Sequence, residues 1–212
     1  MMKSIHSTLV TVFAVTLFTL PALKAEETVR YVDMSRLFTN YYKTVRSQKS
    51  LKKQEEIYKE RAEELVEEIK NLREKVQTLE EKSLNVGVSK EERDKSRRQA
   101  NATENLYQAK QKQLRTFMQS KQQDLRKQYM QMRKTLVDEI LGFIRDHAKQ
   151  KNIDTVFDVS GLTNNLLPTI LHYPQEKDIT DSIIKKLNKG HEDEVPDGGV
   201  EQVETPKITP EL

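Results

Sequence analysis

Leu51, Tyr58, Leu65, Leu72 and Leu79 recur every seven residues, and Ala62, Ile69 and Val76 fall four places after members of that series. These are the two apolar positions of a heptad repeat. Sustained for about four heptads, they commit the segment to a helix with a narrow seam for a partner helix. A helix over 43–84 is roughly 63 Å long. From Leu37 onward nothing breaks a helix until Asn85-Val86-Gly87-Val88. Asn85 and Gly87 are residue types that readily end a helix with positive φ. Ser89-Lys90-Glu91-Glu92 then gives a helix-start serine with a glutamate three places on, a capping box. A stop meeting a start within a few residues predicts a tight hairpin whose second helix returns antiparallel.

The second helix is expected from about Lys90 to Gln150, with a seam of Leu106, Leu114, Met118, Leu125, Tyr129, Met132, Leu136, Ile140 and Ile144. Its spacings of three and four slip out of strict heptads, so the supercoil should loosen. The stretch 93–113 holds few large apolar residues, as on a helix that faces water or another molecule. Met118, Met130 and Met132, with Phe117 and Tyr129, could adapt to a varied partner, although their spacing suits the seam.

Outside the hairpin the period changes. Thr28-Val29-Arg30-Tyr31-Val32-Asp33 alternates as a strand, and Asp33 or Ser35 could cap the helix after it. Ile153 to Val159 alternates again, and Leu166 to Tyr173 reads as a further strand that Pro168 restricts to an edge or bulge. Asp178-Ile179-Thr180-Asp181 opens a short helix with Ile179, Ile183, Ile184 and Leu187 on one side. From Gly190 the chain is rich in Glu, Asp, Pro and Gly and reads as a disordered tail. The expected fold class is α+β, mostly α: a long antiparallel helical hairpin, or coiled-coil arm, on a small head of strands and helix. Its predicted divisions are 26–42 with 136–188 for the head, 43–135 for the arm with its tip near 85–88, and 189–212 for the tail.

Lys3, an uncharged stretch to Leu23 and the exit Ala22-Leu23-Lys24-Ala25 predict a signal peptide over 1–25, cut after Ala25. The chain has no cysteine, which rules out disulfide staples and a lipoprotein anchor at the exit. With 35% hydrophobic, 33% charged and 6% aromatic residues it lacks the material for one large core, so partner subunits are expected to add stability. Charge is unevenly placed. Residues 43–82 carry 11 basic and 10 acidic side chains, residues 89–151 carry 16 and 8, and residues 189–212 carry 2 and 7.

Nothing resembles a catalytic set, so an enzyme is not expected and no cofactor or metal is called for. His147, His172 and His191 have no helical metal-ligand spacing, and His191-Glu192-Asp193 sits in an acidic, solvated setting. Asp154 and Asp158 flank a strand and should face water. Arg93, Lys95, Arg97, Arg98, Lys110, Lys112, Arg115, Lys121, Arg126 and Lys127 make the second helix basic, but aromatics do not interleave with them for stacking bases. No specific nucleic acid is therefore expected as a partner. A diffuse positive field remains, able to steer an acidic one. Leu84, Val86 and Val88 put apolar side chains at the turn, where they either staple the helices or meet a partner.

Arg30-Tyr31-Val32-Asp33-Met34-Ser35-Arg36-Leu37-Phe38, followed by Tyr41-Tyr42-Lys43, resembles the opening of Skp/OmpH proteins. Asp178-Ile179-Thr180-Asp181 running into Ile184 and Lys186-Leu187-Asn188 resembles their close, so the resemblance spans about residues 28–188. It implies a periplasmic, ATP-independent holdase chaperone. Such a protein is a homotrimer whose arms enclose unfolded outer-membrane β-barrel proteins before insertion. In that frame Val29, Tyr31, Val32, Ile153, Val156 and Phe157 belong to the oligomerisation body. Client contact falls to the tip residues Leu84, Val86 and Val88 with Arg93, Arg97, Arg98, Lys110, Lys112 and Arg115. A peripheral membrane or lipid contact is compatible with the basic arm, but no lipopolysaccharide motif can be pointed to. The near-neutral mature chain and the acidic tail depart from the family pattern, and the tail could compete with clients. The alternative is a structural coiled-coil spacer or adaptor of the cell envelope.

Overall fold

The computed structural model describes residues 27–200 and Ile208; the expected signal peptide lies outside the described residues. The chain runs β1 (Val29–Val32), α1 (Met34–Thr39), α2 (Tyr42–Leu84), α3 (Lys90–Lys151), β2 (Thr155–Asp158) and α4 (Thr180–Leu187). Helices α2 and α3 pack along each other as the expected hairpin, and β1 and β2 pair in parallel, with Val29 opposite Thr155 and Val32 opposite Asp158. The fold is α+β and mostly helical.

Helix α3 has 62 residues against 43 in α2, and its surplus builds the head. Leu136, Ile140 and Ile144 lie in one buried cluster with Val32, Leu37, Phe38, Tyr41, Ile183 and Leu187. Each chain end is tied into this cluster by polar groups. Thr180 accepts from the Asp33 N–H (2.9 Å) and donates to Asp178 Oδ1 (2.5 Å), while Asp33 Oδ1 caps α1 by accepting from the Arg36 N–H (2.8 Å). Glu139 of α3 accepts from the Tyr41 hydroxyl (2.9 Å) and the Lys43 ammonium (2.7 Å). Burial and the neighbouring Glu139 push the Tyr41 phenol up to about 12, and the Lys43 hydrogen bond holds the Glu139 carboxyl below the usual range.

The first helix does not run unbroken from Leu37. It stops at Thr39 and restarts at Tyr42, and the Asn188 side chain bridges the gap. Its Oδ1 accepts from the Tyr42 N–H (2.9 Å), and its amide nitrogen donates to the Asn40 carbonyl (2.6 Å). One buried amide thus satisfies a donor and an acceptor that the break would orphan.

The arm's seam follows the heptads in α2, where Leu51, Ala62, Leu65 and Val76 are buried. In α3 it passes through Ala100, Tyr107 and Leu114, seven apart, and Leu106 is 48% exposed rather than inside. One residue off the seam turns a side chain by about 100°. Toward the tip the buried residues are small: Ser83, Ser96 and Ala100. The polar stretch 93–113 therefore still packs, through small side chains that bury little apolar surface.

One other expectation is corrected. Residues 166–173 form no strand; Leu162 and Pro168 make an isolated antiparallel bridge, and Leu166 has φ 61°. Pro168 has no N–H to give a ladder, and a leucine in the left-handed region turns the chain out of extended geometry. Tyr173 instead lays its ring 4.9 Å from that of Tyr31. Asp154 and Asp158 are exposed as expected, but both also accept backbone bonds, from Thr28 (2.7 Å) and Met34 (3.1 Å). The left-handed helix end is at Asn152 (φ 52°), just before the chain turns into β2.

Two measurements check this packing. At the end of α3, buried His147 has its Nδ1 2.6 Å from the Lys186 ammonium. An ammonium only donates, so the imidazole accepts and is neutral, with its proton on Nε2. Burial first, then the charges of Lys186 and Lys151, hold its pKa below the ordinary value of 6.5. Between that value and the lower folded one the unfolded chain binds more protons. The stabilising contribution is therefore complete above about pH 6.5 and is lost as pH falls. The thermal midpoint should drop on acidification through this window, and His147→Gln should flatten the drop. In the arm, Ala100→Leu overpacks the seam and should cost about 1–3 kcal/mol in urea unfolding. Ala102→Leu, on the exposed side, should be close to neutral.

Candidate functional site

The tip is built from backbone turns rather than a left-handed cap. Asn85, at φ −71° and ψ 110°, is extended, and its Oδ1 accepts from the Gly87 N–H (2.9 Å). The asparagine side chain makes the turn that a positive φ was expected to make. Ser89 then caps α3 by accepting from the Glu92 N–H (3.2 Å), as the sequence predicts. Leu84 and Val86 are left 73% and 90% exposed, while Val88 is half-buried and its carbonyl accepts from Arg93 Nη1 (2.6 Å). Val88 and Arg93 thus finish the turn, and Leu84 and Val86 present apolar surface to solvent.

The basic residues divide the same way. Arg97, Arg98, Lys112 and Arg115 are exposed along α3. Lys110 reaches across the hairpin to Glu68 at 2.5 Å, and that hydrogen bond holds the Glu68 carboxyl below its usual range. Lys121 pairs with Asp124 (2.9 Å) and sits 5.3 Å from the Tyr58 ring centre. Lys110 and Lys121 therefore hold the arm together, while Arg97, Arg98, Lys112 and Arg115, like Lys95, Arg126 and Lys127, are exposed and placed to act on something outside it. On the flank beside Arg115 an open groove of about 400 Å³ is lined by Val66, Ile69 and Leu114.

At the other end, Val29, Tyr31, Val32, Val156 and Phe157 lie in the two strands, with Ile153 just before β2. Val32 is buried in the head, so it supports the strand from within. Phe157 is 44% exposed, and Leu162, Leu166, Leu167 and Leu171 expose further apolar surface on the loop after β2. β1 has β2 on one side and the Asp178 backbone on the other, so β2 is the outer strand of the described sheet. Sequence periodicity finds the strands but not this loop, whose leucines show no alternating pattern.

The third region is the described start of the segment that composition reads as a disordered tail. Residues 190–200 lie against the base of the arm: the His191 ring stacks 3.9 Å from Tyr42, and Glu194 takes both ends of the Arg46 guanidinium at 2.5 and 2.6 Å. The Val200 N–H donates to the Thr39 carbonyl (3.0 Å). At Gly199 (φ 78°) a Cβ would meet the Asn40 side chain at 2.9 Å, a fit open to glycine alone. Ile208 is buried in a second cluster with Leu51, Ala62 and Leu125. Composition suggests disorder because it counts residue types and not these specific contacts.

Among the described residues no three His, Asp or Glu side chains gather as a metal site, and no helix is long and apolar enough to cross a membrane. No curated protein matches this sequence. Residues 28–187 do match a family model, that of the outer membrane protein (OmpH-like) family. The family is one of periplasmic chaperones for outer-membrane proteins and is not known for catalysis. With a match over most of its length, from β1 to the last residue of α4, this chain belongs to the OmpH-like family.

Proposed function

We propose that the chain is an ATP-independent holdase that keeps unfolded outer-membrane β-barrel proteins from aggregating in the periplasm. The observation that carries this reading is an arm with solvent on most of its surface, exposed cations along α3, and Leu84 and Val86 bare at the tip. The excess of 16 basic over 8 acidic residues in 89–151 steers acidic segments to the arm. The bare apolar tip and the grooves on the flank then offer many weak contacts, which hold a client and release it without an energy source. Arg97, Arg98, Lys112 and Arg115 are assigned to encounter, Leu84 and Val86 to contact, and Arg93, Lys110 and Val88 to holding the surface in shape.

The head, residues 26–42 and 136–188, is assigned as the oligomerisation body of a homotrimer. Phe157 and the leucines from 162 to 171 are too exposed for a free subunit, and β2 offers an outer strand edge. A cap of subunits over this surface would leave the arms projecting together around a cavity. The sequence supports export by the predicted cleavage after Ala25. A rigid spacer is the competing reading, favoured by the heptad seam of α2. It gives no role to an apolar tip or to exposed cations.

The test dilutes a urea-unfolded outer-membrane β-barrel protein into buffer with and without the mature protein, with mass photometry on the same sample. The expected result is a trimer that suppresses aggregation without ATP. Arg97→Glu, Arg98→Glu and Lys112→Glu together should slow capture at low salt by roughly three- to tenfold, with the gap closing at high salt. A trimer that leaves aggregation unchanged would contradict the holdase reading and favour the spacer.

A further inference from the structure

The base of the arm carries an apolar groove of about 460 Å³ lined by Val45, Leu51 and Tyr129, with Lys49 and Lys52 exposed on its α2 side. Val200 forms part of its wall. Further out on the same helix pair, Ile208 is 7% exposed among Leu51, Ala62 and Leu125, and its N–H donates to Gln122 Oε1 at 2.9 Å. Seven residues lie between Val200 and Ile208, and the eight steps that join the two reach at most about 28 Å. Both anchors pair a branched aliphatic side chain with a backbone N–H given to a fixed acceptor: half-buried Val200 donates to the Thr39 carbonyl at the end of α1, and buried Ile208 to Gln122 Oε1 of α3. They belong to a segment, 189–212, that carries seven acidic residues and two basic ones, opposite a helix with a basic excess.

An acidic segment with isolated aliphatic side chains has the chemistry expected of a segment of an unfolded β-barrel. The geometry points to this groove as a docking surface for extended acidic–aliphatic segments, with the chain's own C-terminal segment as its resident occupant, which a client must displace. The inference rests on the holdase reading above for the identity of the competitor, but not for the docking itself. The clamp around 190–200, through His191 and Glu194, keeps the tail tethered to the arm. Tethering turns a weak contact into a well-populated one by raising the effective concentration of the tail at the groove. Client segments that fill the groove and also touch the distal arm can overcome it. Weaker, shorter ones cannot.

The chain has no native cysteine, so pairs can be introduced cleanly. Gln122→Cys with Thr209→Cys would be closed by a short bismaleimide linker, and closure within one chain read by its monomer-sized product on a denaturing gel. Binding of a labelled, urea-unfolded outer-membrane β-barrel protein would then be compared for three proteins: the open pair, the linked pair and the chain ending at Val200. Docking predicts efficient closure within a chain. Competition predicts that the linked form binds the client more weakly than the open form, and that removal of 201–212 tightens binding by roughly three- to tenfold. Ile208→Asp in the full chain should match the shortened one. Absence of closure within a chain overturns the docking. Closure with client affinity unchanged by linking and by shortening overturns the competition. If even the shortened chain binds no client, the holdase reading falls and takes the competition with it, while the gel still reports on the docking.

Discussion

The parallel pairing of β1 with β2 is the constraint that organises the molecule. Val29–Val32 and Thr155–Asp158 lie side by side although more than a hundred residues separate them. A parallel pair cannot be joined by a tight turn, so the connection must leave the sheet and come back. Here the connection is the arm itself. Its helices form from local contacts and need no distant partner to start. Once α2 and α3 lie antiparallel, the two strands arrive at the same place. The Thr28 carbonyl, accepting from both Asp154 (3.0 Å) and Thr155 (3.3 Å), marks where the return is locked.

That closure divides the molecule into unequal parts. In the head, large side chains from several elements interlock, and Asn188, Thr180 and Glu139 satisfy buried polar groups. In the arm, two helices share one seam, which thins from Leu65 and Leu125 to Val76, Ser83, Ser96 and Ala100. Apolar burial contributes about 25 cal/mol per Å², so a seam of serines and alanines holds the tip helices together far less strongly than the leucines at the base. Cross-arm pairs such as Lys110 with Glu68 are still partly open to solvent and fix geometry more than they add stability. An arm firm at its root and weakly held at its end suits a surface that must adapt to chains with no fixed shape.

How legible each part is in the sequence depends on how local its cause is. The α2 heptads, the Ser89 cap and the α4 stripe of Ile183 and Leu187 are readable because their spacing is their cause. Leu106 is misleading because the seam of α3 is carried by Ala100 and Tyr107, and an alanine or tyrosine signals a seam less strongly than a leucine. The break at Asn40 and Tyr41 is hidden because the side chain that repairs it, Asn188, lies 146 residues away from Tyr42. The apolar content of 166–173 suggests a strand, which Pro168 and the left-handed Leu166 override. Of the candidate contact residues, the sequence names the cations but cannot separate Lys110 and Arg93, which are engaged within the arm, from Arg97, Arg98, Lys112 and Arg115. That division depends on which face of α3 meets α2.

Stability is thus graded along the arm, high where it enters the head and low at the bare tip. Native-state hydrogen exchange, resolved along α2 and α3, measures that gradient directly. A graded arm gives strong protection around Leu51, Leu125 and Leu136, falling steadily toward Ser83 and Ser96, with the last turns opening independently of the head. Uniform protection from base to tip, lost only with global unfolding, would contradict the gradient and describe a rigid strut.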